Sequence, residues 1–148
     1  MSAKCCTVIT WSLASLRFFK QSLFAQIAKR LVRSADLSSC EPYELTNLLW
    51  AFAVLCKQRR QLGQDLAAPV LALCAMSTDI IGQRGGTWKV QVLMSAMVSI
   101  SILPWHSSSL EVFFGMVDEL AARQAELEKE NTRQVGLSFE ELRKRQPQ

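Results

Sequence analysis

The chain has 148 residues, of which 49% are hydrophobic and 20% charged, and its formal net charge is +4. That length fits one domain able to bury a core, and that composition excludes a chain too polar to fold. The longest apolar run, 92–103, is shorter than the roughly 20 residues a bilayer span needs, so neither a membrane span nor a membrane partner is expected.

The first predicted helix carries Cys6, Ile9, Leu13 and Leu16 at i, i+3, i+7 and i+10, the period of one helical face. A break follows, then a second pattern through Phe24, Ala28 and Leu31. Pro42 opens the next helix, where its missing N–H costs nothing, and Glu44 adds favourable first-turn charge. Its apolar face reads Leu45, Leu48, Phe52 and Leu55, and its partner reads Leu66, Val70 and Leu73. Pro69 is expected in the first turn of that partner or at a kink. Gly85-Gly86 breaks the chain again. A third leading helix carries Val90, Leu93, Met97 and Ile100 and ends at Pro104. Its partner carries Phe113, Val117 and Leu120, with Ser108 and Glu111 at capping-box spacing.

These segments superimpose when Trp11, Trp50 and Ser95 are taken as origins, at spacings of 39 and 45 residues. The four apolar slots then lie five and two residues before the origin and two and five after it. Small residues recur one and three positions after the origin: Ser12 and Ala14, Ala51 and Ala53, Ala96 and Val98. Such side chains admit a close neighbour. The fold expected is all-α: a short α-solenoid of about three stacked helix-turn-helix repeats, units 4–37, 38–84 and 85–125, in one domain over 1–134. Leu48, Phe52, Leu93 and Met97, with Trp11 and Trp50, are expected to pack the repeats together. From 135 to 148 a polar, frayed tail is expected: placing Leu142 in the first apolar slot puts Arg145 in the second, so no fourth repeat forms.

Charge is uneven. Residues 1–109 hold 11 Lys or Arg and 5 Asp or Glu, whereas 110–148 hold 6 and 8. No acid precedes Asp36, and an acid-free, basic, Ser-containing N-terminus is also the composition of a mitochondrial transit peptide. Five cysteines form no C-x-x-C pair, and Cys6 and Cys74 read as small core residues in a reducing compartment. With a single histidine, His106, in a turn, neither a metal site nor a nucleophile pair is expected. Without a phosphate-binding glycine loop or a cofactor motif, the chain is expected to be non-enzymatic and cofactor-free.

The segment Ser-Ser-Cys-Glu-Pro-Tyr-Glu-Leu-Thr-Asn-Leu-Leu-Trp-Ala-Phe-Ala-Val-Leu, from Ser38, resembles an octotricopeptide-type repeat, with the L-x-N-x-x-W-A-x-A pattern of RNA-editing substrate-binding complex proteins and of the helical regions of RAP-domain proteins. Trp11-Ser-Leu-Ala-Ser-Leu matches moderately, and the third unit, with Ser95 for the tryptophan, matches in register alone. The resemblance implies single-stranded RNA binding, in a mitochondrion or plastid, in support of RNA processing, stability, editing or translation, together with protein subunits of an RNA-processing complex. Phosphate contacts are expected from Lys20, Lys29, Arg30, Arg33, Lys57, Arg59 and Arg60, and base contacts from Thr7, Thr46, Asn47 and Gln91. The alternative is a protein-binding scaffold of armadillo or HEAT type, cytoplasmic and without nucleic acid, which the modest charge and acidic tail favour.

Overall fold

Ser2 stands in extended conformation before the first helix, and its hydroxyl accepts the Cys5 N–H at 3.3 Å, satisfying one of the donors every helix start leaves open. From it α1 runs over Ala3–Ser15. The helix closes where Arg17 turns left-handed at φ 56°; its N–H donates to Ala14 O and that of Phe18 to Leu13 O, a helix ending in which this position is usually glycine. After α2 (Gln21–Arg33) comes a 3-10 turn over Ala35–Ser39. Pro42 begins α3 (Pro42–Gln58), and a capping box forms between Glu41 and Glu44, with the Glu41 N–H donating to Glu44 Oε2 at 2.8 Å.

The longest helix is α4 (Gln64–Arg84), and Pro69 lies inside it beyond the first turn, leaving the Asp65 carbonyl without a helical donor. A second 3-10 turn over Gly85–Thr87 leads to α5 (Val90–Ile102), which stops two residues before Pro104. The last helices are α6 (Ser109–Ala122) and α7 (Lys129–Arg145). This computed structural model describes residues 1–104, 109–123 and 129–145; His106, Ser108 and residues 146–148 of the tail lie outside them.

Seven α-helices pack against one another, with no strand among the described residues. Contacts follow two rows: α1 on α3, α3 on α5 and α5 on α7, with α2 on α4 and α4 on α6. Edge-to-face packing of Phe24 on Phe52, ring centres 5.5 Å apart, joins the rows between α2 and α3. By length and composition α4 is apolar enough to cross a bilayer, contrary to the expectation from uninterrupted runs, because Asp79 only dilutes its average. In the fold α4 lies between α2 and α6 and buries Leu66, Val70, Leu73, Cys74 and Ile81 against the core.

The apolar register holds in α3 and α5, where all eight slots are buried. In α1 it fails in part. Cys6 is buried, but Ile9 is 38% and Leu16 78% exposed, and the buried residues are Ala3, Cys6, Thr7, Thr10 and Ala14. Among the described residues the row neighbour of α1 is α3, and α1 turns its small side chains toward it.

The expected polar tail is corrected. Helix α7 packs along α5, burying Ser138 and Leu142. These residues and Arg145 occupy the second-to-fourth slots of the same register once Glu140, 45 residues after Ser95, is taken as the origin. Aligning on Leu142 as the first slot conceals this, because two of the slots that fit are polar.

Arginines tie the connections at both ends of the rows. Toward the starts of the odd-numbered helices, Arg30 Nε donates to Met1 O at 2.9 Å, Arg84 to Ser38 O at 2.6 Å, and Arg123 to Trp88 O and Gly86 O. At the opposite ends Arg59 donates to Phe19 O at 3.1 Å and Arg145 to Leu103 O. Each guanidinium thus satisfies a carbonyl that the helices leave unpaired.

Candidate nucleic-acid interface

The outer side of α3 is one stripe. Tyr43, Asn47, Trp50, Val54 and Lys57 follow at i, i+4, i+7, i+11 and i+14, each exposed or half-buried. On α1 the same positions hold Lys4, Val8, Trp11 and Ser15, and Lys4 Nζ lies 4.0 Å from Glu44 Oε2 of α3. On α5 they hold half-buried Val92 and exposed Ser95, next to exposed Gln91. Two tryptophans therefore occupy equivalent places on adjacent helices, Trp11 44% and Trp50 39% exposed.

Trp11 and Trp50, expected in repeat packing, keep part of each ring exposed, while Leu48, Phe52, Leu93 and Met97 are buried. At about 100° per residue, slots two and five residues from the origin lie about 140–220° around the helix from it. The origin is between the apolar slots in sequence but opposite them in space. Rotation along the helix, applied to the motif, would have found the stripe and added Tyr43, which sequence reasoning missed.

The four expected base-contact residues divide. Asn47 is half-buried and Gln91 exposed. Thr7 and Thr46 are buried and turned inward: Thr7 Oγ1 donates to Ala3 O at 3.0 Å and Thr46 Oγ1 to Pro42 O at 2.8 Å. Neither hydroxyl is presented to a base, because each is buried and donates to a carbonyl of its own helix.

The expected phosphate contacts, all exposed, fall at two ends of α2. Lys20 caps its start, and Arg59, bonded to Phe19 O, brings the end of α3 with Lys57 and Arg60 to the same region. Lys29, Arg30 and Arg33, with Gln26 and Ser34, line an open groove of about 510 Å³ near the other end. The two groups are about 14–20 Å apart along the axis. Arg30 and Arg59 each spend a donor on a backbone carbonyl, so their charge serves the fold as well as any ligand.

Other features offer anions less. A cleft of about 530 Å³ between α4 and α6 is lined by Asp79, Gly82, Gly86, Gly115 and Glu119, and Glu119 pairs with Arg123 at 3.0 Å. Among the described residues no three His, Cys, Asp or Glu side chains meet in a metal-binding group. Burial pushes the Cys56 and Cys74 thiols up to about 11, whereas the Ser2 hydrogen bonds lower that of exposed Cys5. Comparison with protein-family models, curated proteins and solved structures finds no match.

Proposed function

We propose that this chain is a short α-solenoid of octotricopeptide type that binds single-stranded RNA across its odd-numbered helices. It would serve processing, stability, editing or translation of transcripts in a mitochondrion or plastid, alongside protein subunits of an RNA-processing complex. The observation that carries the proposal is the pair of exposed tryptophans at equivalent positions, in line with Tyr43, Asn47 and Lys57.

The chemistry of that stripe fits unstacked bases. Exposed indole and phenol faces accept any base by stacking, worth about 1–3 kcal/mol per base. Asn47 and Gln91 supply amide donors and acceptors for base edges. Phosphates between the bases would meet Lys57, Arg60 and Lys20 at one end of the stripe. Lys29 and Arg33, in the α2 groove, extend the basic surface for a longer strand. Packed helices lie about 8–10 Å apart, so each step of the row offers room for roughly one extended nucleotide.

The test is binding of a random-sequence single-stranded RNA pool by fluorescence anisotropy at several salt concentrations, for the native chain and for Lys57→Glu/Arg60→Glu. Each phosphate contact contributes a slope of about −0.7 to log K against log salt. Expected are a steep salt dependence and a charge-reversed variant with weaker binding and a shallower slope. Absence of binding at low salt, or indifference to the reversal, refutes the proposal and leaves a protein-binding scaffold as the better account.

A further inference from the structure

Among the described residues, the α1 end of the rows is half charged and half apolar. At the α1 end, the side of the helix turned away from α3 carries Val8, Ser12, Cys5, Leu16 and Ile9 in succession around the axis. Val8 is 61% and Leu16 78% exposed, and Phe18 beyond the helix is 53% exposed. The positions equivalent to Ile9, Ser12 and Leu16 hold Leu48, Ala51 and Leu55 on α3 and Leu93, Ala96 and Ile100 on α5, all buried in rows where a preceding helix lies alongside, whereas those equivalent to Cys5 and Val8 are half-buried or exposed. Helix α1 thus buries Ala3, Thr7, Thr10 and Ala14 and exposes its large apolar residues, the reverse of a helix facing water.

Beside it α2 does the opposite. Positions that hold half-buried Leu71, Ala72 and Ala75 in α4 hold exposed Lys29, Arg30 and Arg33 in α2. The bond from Arg30 to Met1 O joins this basic edge to the start of α1. Arg17 and Lys20 flank Phe18 at the other end, and no Asp or Glu occurs among the first 35 residues. At the far end of the row α7 presents Glu140, Arg143 and Lys144 to solvent with Leu137 and Phe139 exposed beside them, so among the described residues charges hold the centre of that face where apolar side chains hold it on α1.

We infer that this end face docks on an anionic lipid surface, with Val8, Ile9, Leu16 and Phe18 entering the headgroup boundary and the cations of α1, its turn and α2 meeting lipid phosphates. Charge selects this occupant. A second copy of the chain would bring Arg17, Lys20, Lys29 and Arg33 against themselves with no acid to relieve them, and an RNA strand gains nothing from Ile9 or Leu16, which lie off the stripe. Exposed apolar side chains on one helix flanked by cations fit a bilayer interface. The face departs from the expectation that no membrane is involved, because that expectation concerned spans. Trp11 lies on the other edge of the exposed surface, in line with Trp50, so the two surfaces can be tested apart.

The experiment is co-sedimentation of the chain with phosphatidylcholine vesicles, with and without phosphatidylserine, together with an environment-sensitive dye on Cys5, an exposed thiol on this face. Expected is partition onto the phosphatidylserine vesicles, at least about tenfold weaker on phosphatidylcholine alone and weakened by salt. Leu16→Ser/Phe18→Ser removes only exposed side chains, so circular dichroism stays native while partition falls at least about tenfold. Trp50→Ala leaves partition unchanged. No partition onto phosphatidylserine vesicles at low salt overturns the inference, as does equal partition of the Leu16→Ser/Phe18→Ser variant. A concentration-dependent dimer dissolved by that variant also overturns it, in favour of a second copy.

Discussion

Two glycine-to-alanine substitutions in neighbouring helices have opposite expected signs. At Gly82 in α4 an added Cβ would lie 2.6 Å from Val112 Cγ1 of α6 and 3.8 Å from Val112 Cβ and Cγ2. Carbon atoms pack at about 3.5–4.0 Å, so one of the helices must shift by roughly 1 Å. Valine, branched at Cβ, has little rotamer freedom with which to yield. Overpacking of this kind costs about 1–3 kcal/mol, against a gain of about 1 kcal/mol from replacing glycine in a helix. Gly82→Ala is therefore expected to destabilise by about 0–2 kcal/mol.

At Gly115 in α6 an added Cβ meets nothing within 4 Å. Gly115→Ala keeps the propensity gain alone, about 0.5–1 kcal/mol, or about 2–4 °C in Tm per kcal/mol for a chain of this size. Urea unfolding followed by far-ultraviolet circular dichroism gives both values. Adding Val112→Ala to Gly82→Ala should recover part of the loss, a positive coupling that Val112→Ala shows with no other distant site. A Gly82→Ala variant as stable as Gly115→Ala would refute the close approach of α4 and α6.

Other outcomes follow from the helix ends and the core. Arg17→Gly relieves a left-handed residue at the end of α1 and should stabilise by about 1 kcal/mol; loss of stability on the same urea assay would show that the turn is not left-handed. Burial raises the folded pKa of Cys56 and Cys74 above the ordinary value of 9.0 to about 11. Their stabilising effect is complete below pH 9 and is lost as the pH rises toward 11, because the unfolded thiols release protons first. Each thiol contributes on the order of 2–3 kcal/mol to that loss. Urea midpoints measured across this range should fall, and less so in Cys74→Ala; an unchanged slope contradicts burial of that thiol.

What the sequence could reveal was set by range. Helix periods and breakers are local, so α3 and α5, their Pro42 start and Pro104 stop, and the buried slots Leu48, Phe52, Leu93 and Met97 were legible. The exposed Leu16 and Ile9 were not, because an apolar period marks a face without saying whether a neighbour covers it. Helix α7 was hidden by polar residues, Ser138 and Arg145, in slots that are apolar elsewhere. Arg30, Arg59, Arg84, Arg123 and Arg145 reach carbonyls 29–46 residues away, and no local pattern announces such bonds. Trp50 and Tyr43 were legible in principle, since their outward position follows from rotation along the helix.

The most direct test of RNA binding through the stripe compares the native chain with Tyr43→Ala/Trp50→Ala for affinity to the same single-stranded RNA pool at one fixed salt concentration, with Tm measured in parallel. Tyr43 is 58% and Trp50 39% exposed, so loss of the packed part of the indole should lower Tm by several degrees at most and leave the chain folded. Loss of two stacking faces should weaken affinity by about 2 kcal/mol or more, at least about thirtyfold. Unchanged affinity in the folded variant would contradict RNA recognition at this surface.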